Sequence, residues 1–482
     1  MGESVGRLDG SGEGRDMSWD AVVVGAGVNG LTAAARLAKA GRSVLVIERA
    51  DTVGGNARTR ELLVDGIRHD LGAAVVPFAA ASPAFAALGL PIRFAHSEVA
   101  LAHPLDAGRA AVLRRDLDET IAGLAADGRS YRRLVGPLVD RFADLIEDVM
   151  ASQVKVPHHP LLMARFGPIA ALPSTVVGRR FVTDGAKALF AGLAGHATVP
   201  PDRPLTAGVG FTLMLAAHAV GWPVVGGGTQ AVPEALATMV TQLGGEIQLG
   251  HEVRSLDDLP SAAITLLDVT PRQLTEFAPS AAAKAYSRWK YGPGACKVDY
   301  VLSGPVPWAA EACRRSATVH VGGTAEEILA AEKEVAAGRP AERPLVLVAQ
   351  PDVADPTRLH GDLRPLWTYC HVPPGSDVDA SAAIEAQIDR FAPGWRDLIV
   401  AKRVLTAKDS EATNPNLVGG DLAAGLMTAR QMLLGPRPPH SPYRTNIDGV
   451  YLCSSSCPPG PGIHGMAGWH AAGLAIRSRR SA

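Results

Sequence analysis

The chain has 482 residues, 47% of them hydrophobic and 20% charged, which is enough for two or three domains around a large apolar core. Its 47 basic and 48 acidic residues leave a formal net charge of −1, so no global field attracts nucleic acid. The five cysteines, Cys296, Cys313, Cys370, Cys453 and Cys457, are too sparse for a disulfide framework and point to a reducing, cytoplasmic setting. The close pair Cys453-x-x-x-Cys457 reads as packing and a turn.

Met1–Ser18 is polar and glycine-rich, with mixed charge and no apolar run. It reads as neither a signal peptide nor a transit sequence, and disorder is expected over residues 1–18. The apolar run Ala21–Val24 then reads as a buried parallel strand. Gly25-x-Gly27-x-x-Gly30 follows, and Leu31–Ala40 reads as an alanine-rich helix. A second strand, Ser43–Ile47, ends at Glu48, 18 residues beyond Gly30. This βαβ order makes the three glycines a dinucleotide site. Gly25 permits the tight turn, Gly27 lets backbone approach a pyrophosphate, and Gly30 lets helix and strand pack closely. The helix N-terminus presents free N–H groups to the phosphates. Glu48 can accept hydrogen bonds from an adenosine ribose and would repel a 2′-phosphate, which disfavours NADP here.

Glu48-Arg49-x-x-x-x-Gly54-Gly55-Asn56-Ala57-Arg58-Thr59 resembles the second signature of large two-domain FAD enzymes: amine oxidases, protoporphyrinogen oxidases and carotenoid desaturases. The resemblance implies FAD as cofactor. It places the Gly54-Gly55 turn near the pyrophosphate, with Arg58 neutralising it, and adds Arg49 and Asn56 to the cofactor-binding positions. His69-Asp70-Leu71-Gly72-Ala73 matches the family's next landmark, where the chain crosses toward the flavin ring.

Ala80–Gly221 is helical in tone, with amphipathic pieces such as Arg132–Met150, and reads as substrate-domain helices. Small clusters such as Arg114-Arg115, Arg132-Arg133 and Arg179-Arg180 read as solvated helix faces and leave peripheral contact with an anionic membrane open. Leu205–Trp222 resembles a membrane span in hydropathy, but Gly208, Gly210, Thr212 and His218 dilute it, so a buried core helix is expected and no transmembrane segment. His218 and Trp222 border the return into the cofactor domain and are candidate substrate-lining residues, with plain core as the alternative. His158-His159 has no further ligands at metal spacing, so no metal is assigned.

Gly226–Gln230 opens a helix through about Leu243, and Glu246–Leu249 is a strand leading to Val253. In related enzymes this position contacts the adenine through its backbone. Ala262–Asp268 is a further buried strand. Cys296–Leu302 alternates as a strand should, with further strands at Leu345–Gln350 and Leu366–His371. A helix, Ala380–Phe391, has Asp379 available as its cap. Lys297 sits on the first of these strands. It resembles the lysine that amine oxidases place near flavin N5; a buried lysine can act as a base, with an ion-paired structural lysine as the alternative.

Toward the C-terminus, Asn446–Leu452 reads as a turn and strand, Cys453–Gly462 as a small-residue loop, and Gly465–Arg477 as a helix. In the architecture implied by the resemblance, backbone N–H groups of Gly465 and Met466 face the flavin pyrimidine. His464, in the loop entering that helix, is the leading acid/base candidate, with a structural histidine as the alternative. Trp469 is a further substrate-lining candidate. Where many relatives carry an acidic residue after the last strand, this chain reads Ser454-Ser455-Ser456.

Tyr291–Tyr300, Pro305–Trp308, Asn414–Asp421 and Pro458–Met466 resemble the phytoene-desaturase-like branch of FAD enzymes, within the subgroup of pyridine nucleotide-disulphide oxidoreductase domain-containing proteins. The resemblance implies an α/β fold. A Rossmann-like, glutathione-reductase-like FAD-binding domain is assembled from discontinuous segments, 19–79, 223–275 and 420–482. An α+β substrate domain with a mixed sheet and helices takes 80–222 and 276–419. The implied activity is dehydrogenation of a hydrophobic or amphipathic small molecule by hydride transfer to flavin N5, with oxygen or a quinone-like acceptor. A flavin-dependent isomerase of a polyene-like substrate, or a non-catalytic FAD-binding protein, are the competing readings.

Overall fold

A computed structural model describes residues 18–152, 156–278, 285–436 and 441–480. The expectation for the N-terminal tail therefore lies, but for Ser18, outside the described residues. Among these residues, five strands form a wholly parallel sheet in the order Val450–Leu452, Ala262–Leu267, Trp19–Val24, Val44–Ile47, Glu246–Gln248. Trp19–Val24 pairs in register from Trp19 with Ala262 to Val24 with Leu267. Ala21–Val24 and Val44–Ile47 are buried throughout, the apolar run that a sheet covered on both faces demands. The helix Val28–Lys39 packs on this sheet, flanked by the helices Ala231–Gln242 and Met466–Arg480.

Seven strands form a second sheet, in the order Ile399–Leu405, Gly294–Leu302, Arg364–Val372, Val346–Ala349, Thr318–Val321, Leu101–Leu105, Arg109–Leu113. All neighbours are antiparallel except Thr318–Val321 and Leu101–Leu105. Side chains alternate along Gly294–Leu302. Cys296, Val298, Tyr300 and Leu302 join an apolar cluster with Trp308, Trp395 and the helix Ser381–Phe391. Ala295, Lys297 and Asp299 point the other way and floor a large cavity.

The stretch from Ala80 to Gly221 is mostly helical, but it also holds strands: Phe94–Ala95 pairs with Val224–Val225, and a hairpin joins the seven-stranded sheet. Leu101–Leu105 and Arg109–Leu113 form a hairpin around Asp106-Ala107-Gly108, with Ala107 at φ 61° and Gly108 at φ 67°. Its alanines and Pro104 carry little β-propensity; the strand is made by pairing with the sheet edge. The Asp-x-Gly turn between two apolar runs was the available signal. The amphipathic Arg132–Met150 piece is divided between two helices, Gly128–Val139 and Phe142–Val149.

A buried ion pair ties the chain crossings beside the parallel sheet to a loop of the seven-stranded sheet. Asp70, on the short strand Arg68–Asp70, accepts hydrogen bonds at Oδ1 from Thr59 Oγ1 (2.7 Å), Thr229 N (2.8 Å) and Thr229 Oγ1 (3.0 Å). Its Oδ2 accepts from Arg358 Nη1 at 3.0 Å, and both side chains are 1% exposed. Arg358 Nη2 donates to the Arg68 carbonyl at 2.7 Å. Nearby Asp355 accepts from Gly227 N at 2.6 Å, so the same loop clamps the glycine crossing Gly226–Gly228. Removing one partner strands a buried charge. Arg358→Met is expected to lower stability by about 3–5 kcal/mol in urea unfolding, and adding Asp70→Asn to it should cost far less than the sum of the single changes.

Candidate functional site

The glycine loop is built by close approach. A Cβ on Gly30 would sit 2.1 Å from the Gly25 carbonyl oxygen, and one on Gly27 would sit 2.4 Å from Asp268 Oδ2. Gly54 donates its N–H to the Ala26 carbonyl at 2.8 Å, and Gly27 and Gly54 form a parallel bridge. The Gly54-Gly55 turn therefore lies directly on the first loop. Glu48 accepts hydrogen bonds from Ala26 N (2.7 Å) and Ala50 N (2.8 Å), which orients its carboxylate at the rim. Arg58 Nε donates to the Gly55 carbonyl at 2.7 Å, and burial pulls its guanidinium below the usual range. Such a cation gains from an anionic ligand. The first N–H groups of the helix at Val28 and Asn29 precede any intrahelical acceptor and point the same way. These features suit a pyrophosphate.

The glycine loop opens into one continuous cavity of about 1710 Å³. That exceeds the roughly 300–1,000 Å³ typical of a single small ligand, so a dinucleotide and a second molecule fit together. At the nucleotide end it is lined by Glu48, Arg49, Asn56, Val253 and the segment Thr413–Leu417. Asn414 Nδ2 donates to Asn56 Oδ1 at 3.0 Å, tying the second sheet's loops to the Gly-Gly turn. Farther in, Met163, Phe166, Ala170, Val209 and Leu213 make an apolar wall opposite a floor of Lys297, Asp299, Trp367 and Tyr369.

Lys297 Nζ donates to Asp299 Oδ2, and both side chains are buried. Burial pulls the lysine below its ordinary range, and the Asp299 charge opposes that shift. It also lies 5.7 Å from the Trp367 ring centroid. Lys297 is thus both cavity-facing and ion-paired.

Several expected site residues sit elsewhere. His464 lines the cavity but caps the last helix: its Nδ1 accepts from Met466 N at 3.0 Å. Burial holds its ring neutral, with the pKa pushed down to about 4. That arrangement fits the structural alternative, a helix cap. Gly465 packs on the first helix, where a Cβ would lie 2.2 Å from Thr32 Oγ1, and Met466 is core; neither lines the cavity. Gly462, Ile463, Ser454 and Ser455 hold those wall positions instead. His218 is bonded to the Tyr131 hydroxyl at 2.7 Å and faces away from the cavity. Trp469 carries Arg36 over its ring at 3.9 Å and is likewise outside it. Trp222 does line the cavity. No group of three or more potential metal ligands occurs among the described residues.

Two residues were missed. Asp299 was hidden because its role depends on strand direction. Asp268, just after Ala262–Leu267, accepts from Gly30 N at 2.9 Å behind the phosphate loop. It is half-buried at the edge of the cleft. Burial pushes its carboxyl up to about 7, the Gly30 N–H opposes that, and the Glu48 charge adds to it. An acid whose folded pKa is raised above its ordinary 3.8 binds extra protons in the native state, so stability falls as pH rises from about 4 to 7. Asp268→Asn keeps an acceptor for Gly30. It should stabilise the FAD-free protein by about 1–2 kcal/mol at pH 8 and hardly at pH 4.5, read by urea unfolding at both values.

Residues 23–88 match the NAD(P)-binding Rossmann-like domain family. The chain is 25% identical to pyridine nucleotide-disulfide oxidoreductase domain-containing protein 2 of Rattus norvegicus, over 96% of this chain and 94% of that protein. It is 32% identical to phytoene dehydrogenase of Streptomyces griseus over 51% of each chain. Its fold matches a redesigned putrescine oxidase with a TM-score of 0.59 at 19% identity, covering 96% of this chain and 99% of the other. Together with the doubly covered parallel sheet and the glycine loops, these make the chain similar over nearly its whole length to pyridine nucleotide-disulfide oxidoreductase domain-containing protein 2, and over about half of it to a phytoene dehydrogenase.

Proposed function

We propose that this protein binds FAD and dehydrogenates a hydrophobic or amphipathic small molecule, with oxygen or a quinone-like compound as final acceptor. The observation that carries the reading is the continuity of the cavity. One space runs from the glycine loop and Glu48 to an apolar chamber floored by the Lys297–Asp299 pair. When bound, FAD supplies a hydride acceptor at its N5 atom. Glu48 anchors the ribose, while Arg58 and the N–H groups of Val28 and Asn29 hold the pyrophosphate. The wall of Met163, Phe166, Ala170 and Leu213 excludes water and orients an apolar substrate against the sheet. Lys297 Nζ, held by Asp299, is the group placed to take or return a proton at the floor.

The five cysteines are buried and free, which supports a reducing compartment such as the cytoplasm. No helix of the described residues is long and apolar enough to cross a membrane.

The purified protein should be yellow or take up added FAD, and Glu48→Ala should weaken FAD binding by about 1.5–3 kcal/mol, measured by flavin fluorescence titration. A colourless protein that ignores added FAD would sink the reading. Lys297→Met should slow flavin reduction or reoxidation in separated half-reactions while FAD stays bound. Unchanged rates in both would remove Lys297 from the chemistry.

A further inference from the structure

One stretch of the cavity wall carries polar side chains that the proposed dehydrogenation does not use. Thr198, Trp222 and Thr318 line it together with His196. Thr198 Oγ1, Trp222 Nε1 and Thr318 Oγ1 are buried with no hydrogen-bond partner among the described residues. Leaving such groups unpaired costs about 1–3 kcal/mol each, a cost that a polar occupant of this end of the cavity would offset. The Trp222 ring stands edge-on, 6.2 Å from both the His196 and His320 rings, which clusters these groups in space. Thr318 and His320 lie two residues apart on one strand and share a face.

Thr198 adds a second, independent sign. Its backbone is left-handed, at φ 53° and ψ 20°, where it ends the short turn Gly195–Ala197. A β-branched residue in that region is strained by about 1–3 kcal/mol, and such strain gathers at functional sites.

Strand register gives the position. Thr318 faces Ala349, Ala349 faces Trp367, and Trp367 faces Asp299 across successive strands. Three strand spacings separate Thr318 from Asp299, about 14 Å. The side chains offer an indole N–H, which only donates, and two hydroxyls, which swing with a single χ1 rotation. The adjacent histidines carry no charge: burial pushes His196 down to about 4 and His320 well below its ordinary value. An ionic group placed here would be desolvated without a counter-charge.

We propose that Thr198, Trp222 and Thr318 form a subsite for an uncharged, oxygen-bearing end of the substrate, a carbonyl or hydroxyl group held about 14 Å across the sheet from Asp299. This rests on the same cavity holding the substrate of the proposed dehydrogenation. The substrate is then an apolar chain with a neutral polar end, which sets it apart from a plain hydrocarbon, a fatty acid and an amine.

The test measures tryptophan-fluorescence titrations of the full chain, with and without FAD. The probes are decan-2-one and decan-1-ol against decane, decanoate and decylamine. The ketone and alcohol should bind about tenfold or more tighter than the other three, the gain from one or two recovered hydrogen bonds. Thr318→Val with Trp222→Phe should erase that preference and leave decane affinity and FAD binding unchanged. Thr198→Gly, which relieves the strained backbone, should weaken ketone binding in the same direction. Equal affinities, tighter binding of decanoate or decylamine, or a preference that survives the paired substitution would overturn the subsite. A protein that shows the preference but takes up no FAD would overturn only the flavin reading.

Discussion

The arrangement depends on one buried carboxylate. Asp70 collects a hydroxyl from one chain crossing, a backbone N–H and a hydroxyl from a second, and a guanidinium from the other sheet's loops. A carboxylate with four such donors and no solvent is costly to move, because each displaced donor would be left unpaired in a low-dielectric interior. It therefore fixes where the nucleotide layer and the seven-stranded layer meet. Leu71, Gly72 and Ala73, which follow Asp70 in the chain, line the cavity.

The chamber itself follows from strand alternation. Along Gly294–Leu302 every second side chain is committed to an apolar cluster behind the sheet, so Ala295, Lys297 and Asp299 have to face forward. Burying a lysine and an aspartate on one face is tolerable because they neutralise each other across adjacent same-side positions. The pair leaves a polar group inside an otherwise apolar space. His464 shows the opposite outcome. Helix geometry consumes its ring nitrogen as a cap, which leaves it neutral and stiff.

Much of the nucleotide end was legible from local pattern. Gly25, Gly27, Gly30 and Gly54 take backbone geometry set by their neighbours, and Glu48 offers its carboxylate at a strand end, so spacing along the chain carries the information. Lys297 and Trp222 were legible as cavity residues through alternation and burial. Three others were not. His218 and Trp469 sit on buried helices whose rotation is decided by packing, and Tyr131 and Arg36 take the faces that would have turned to the cavity. Asp268 looked like the end of a strand, and only the parallel pairing of Ala262–Leu267 with Trp19–Val24 puts its carboxylate behind the phosphate loop.

By itself the sequence determined a dinucleotide loop, the parallel strands beside it and a strand bearing Lys297. These are short-range features: hydrophobic period, glycine where a side chain cannot fit, and an acid at a strand end. The tertiary structure decided which polar groups lack partners and which are spent. Whether Asp299 meets Lys297, whether His464 is free, and whether Thr198 and Thr318 share one wall are questions of contact between distant segments. Such contacts are chosen by the cost of burying unpaired charge and by close packing, and neither is written in residue spacing.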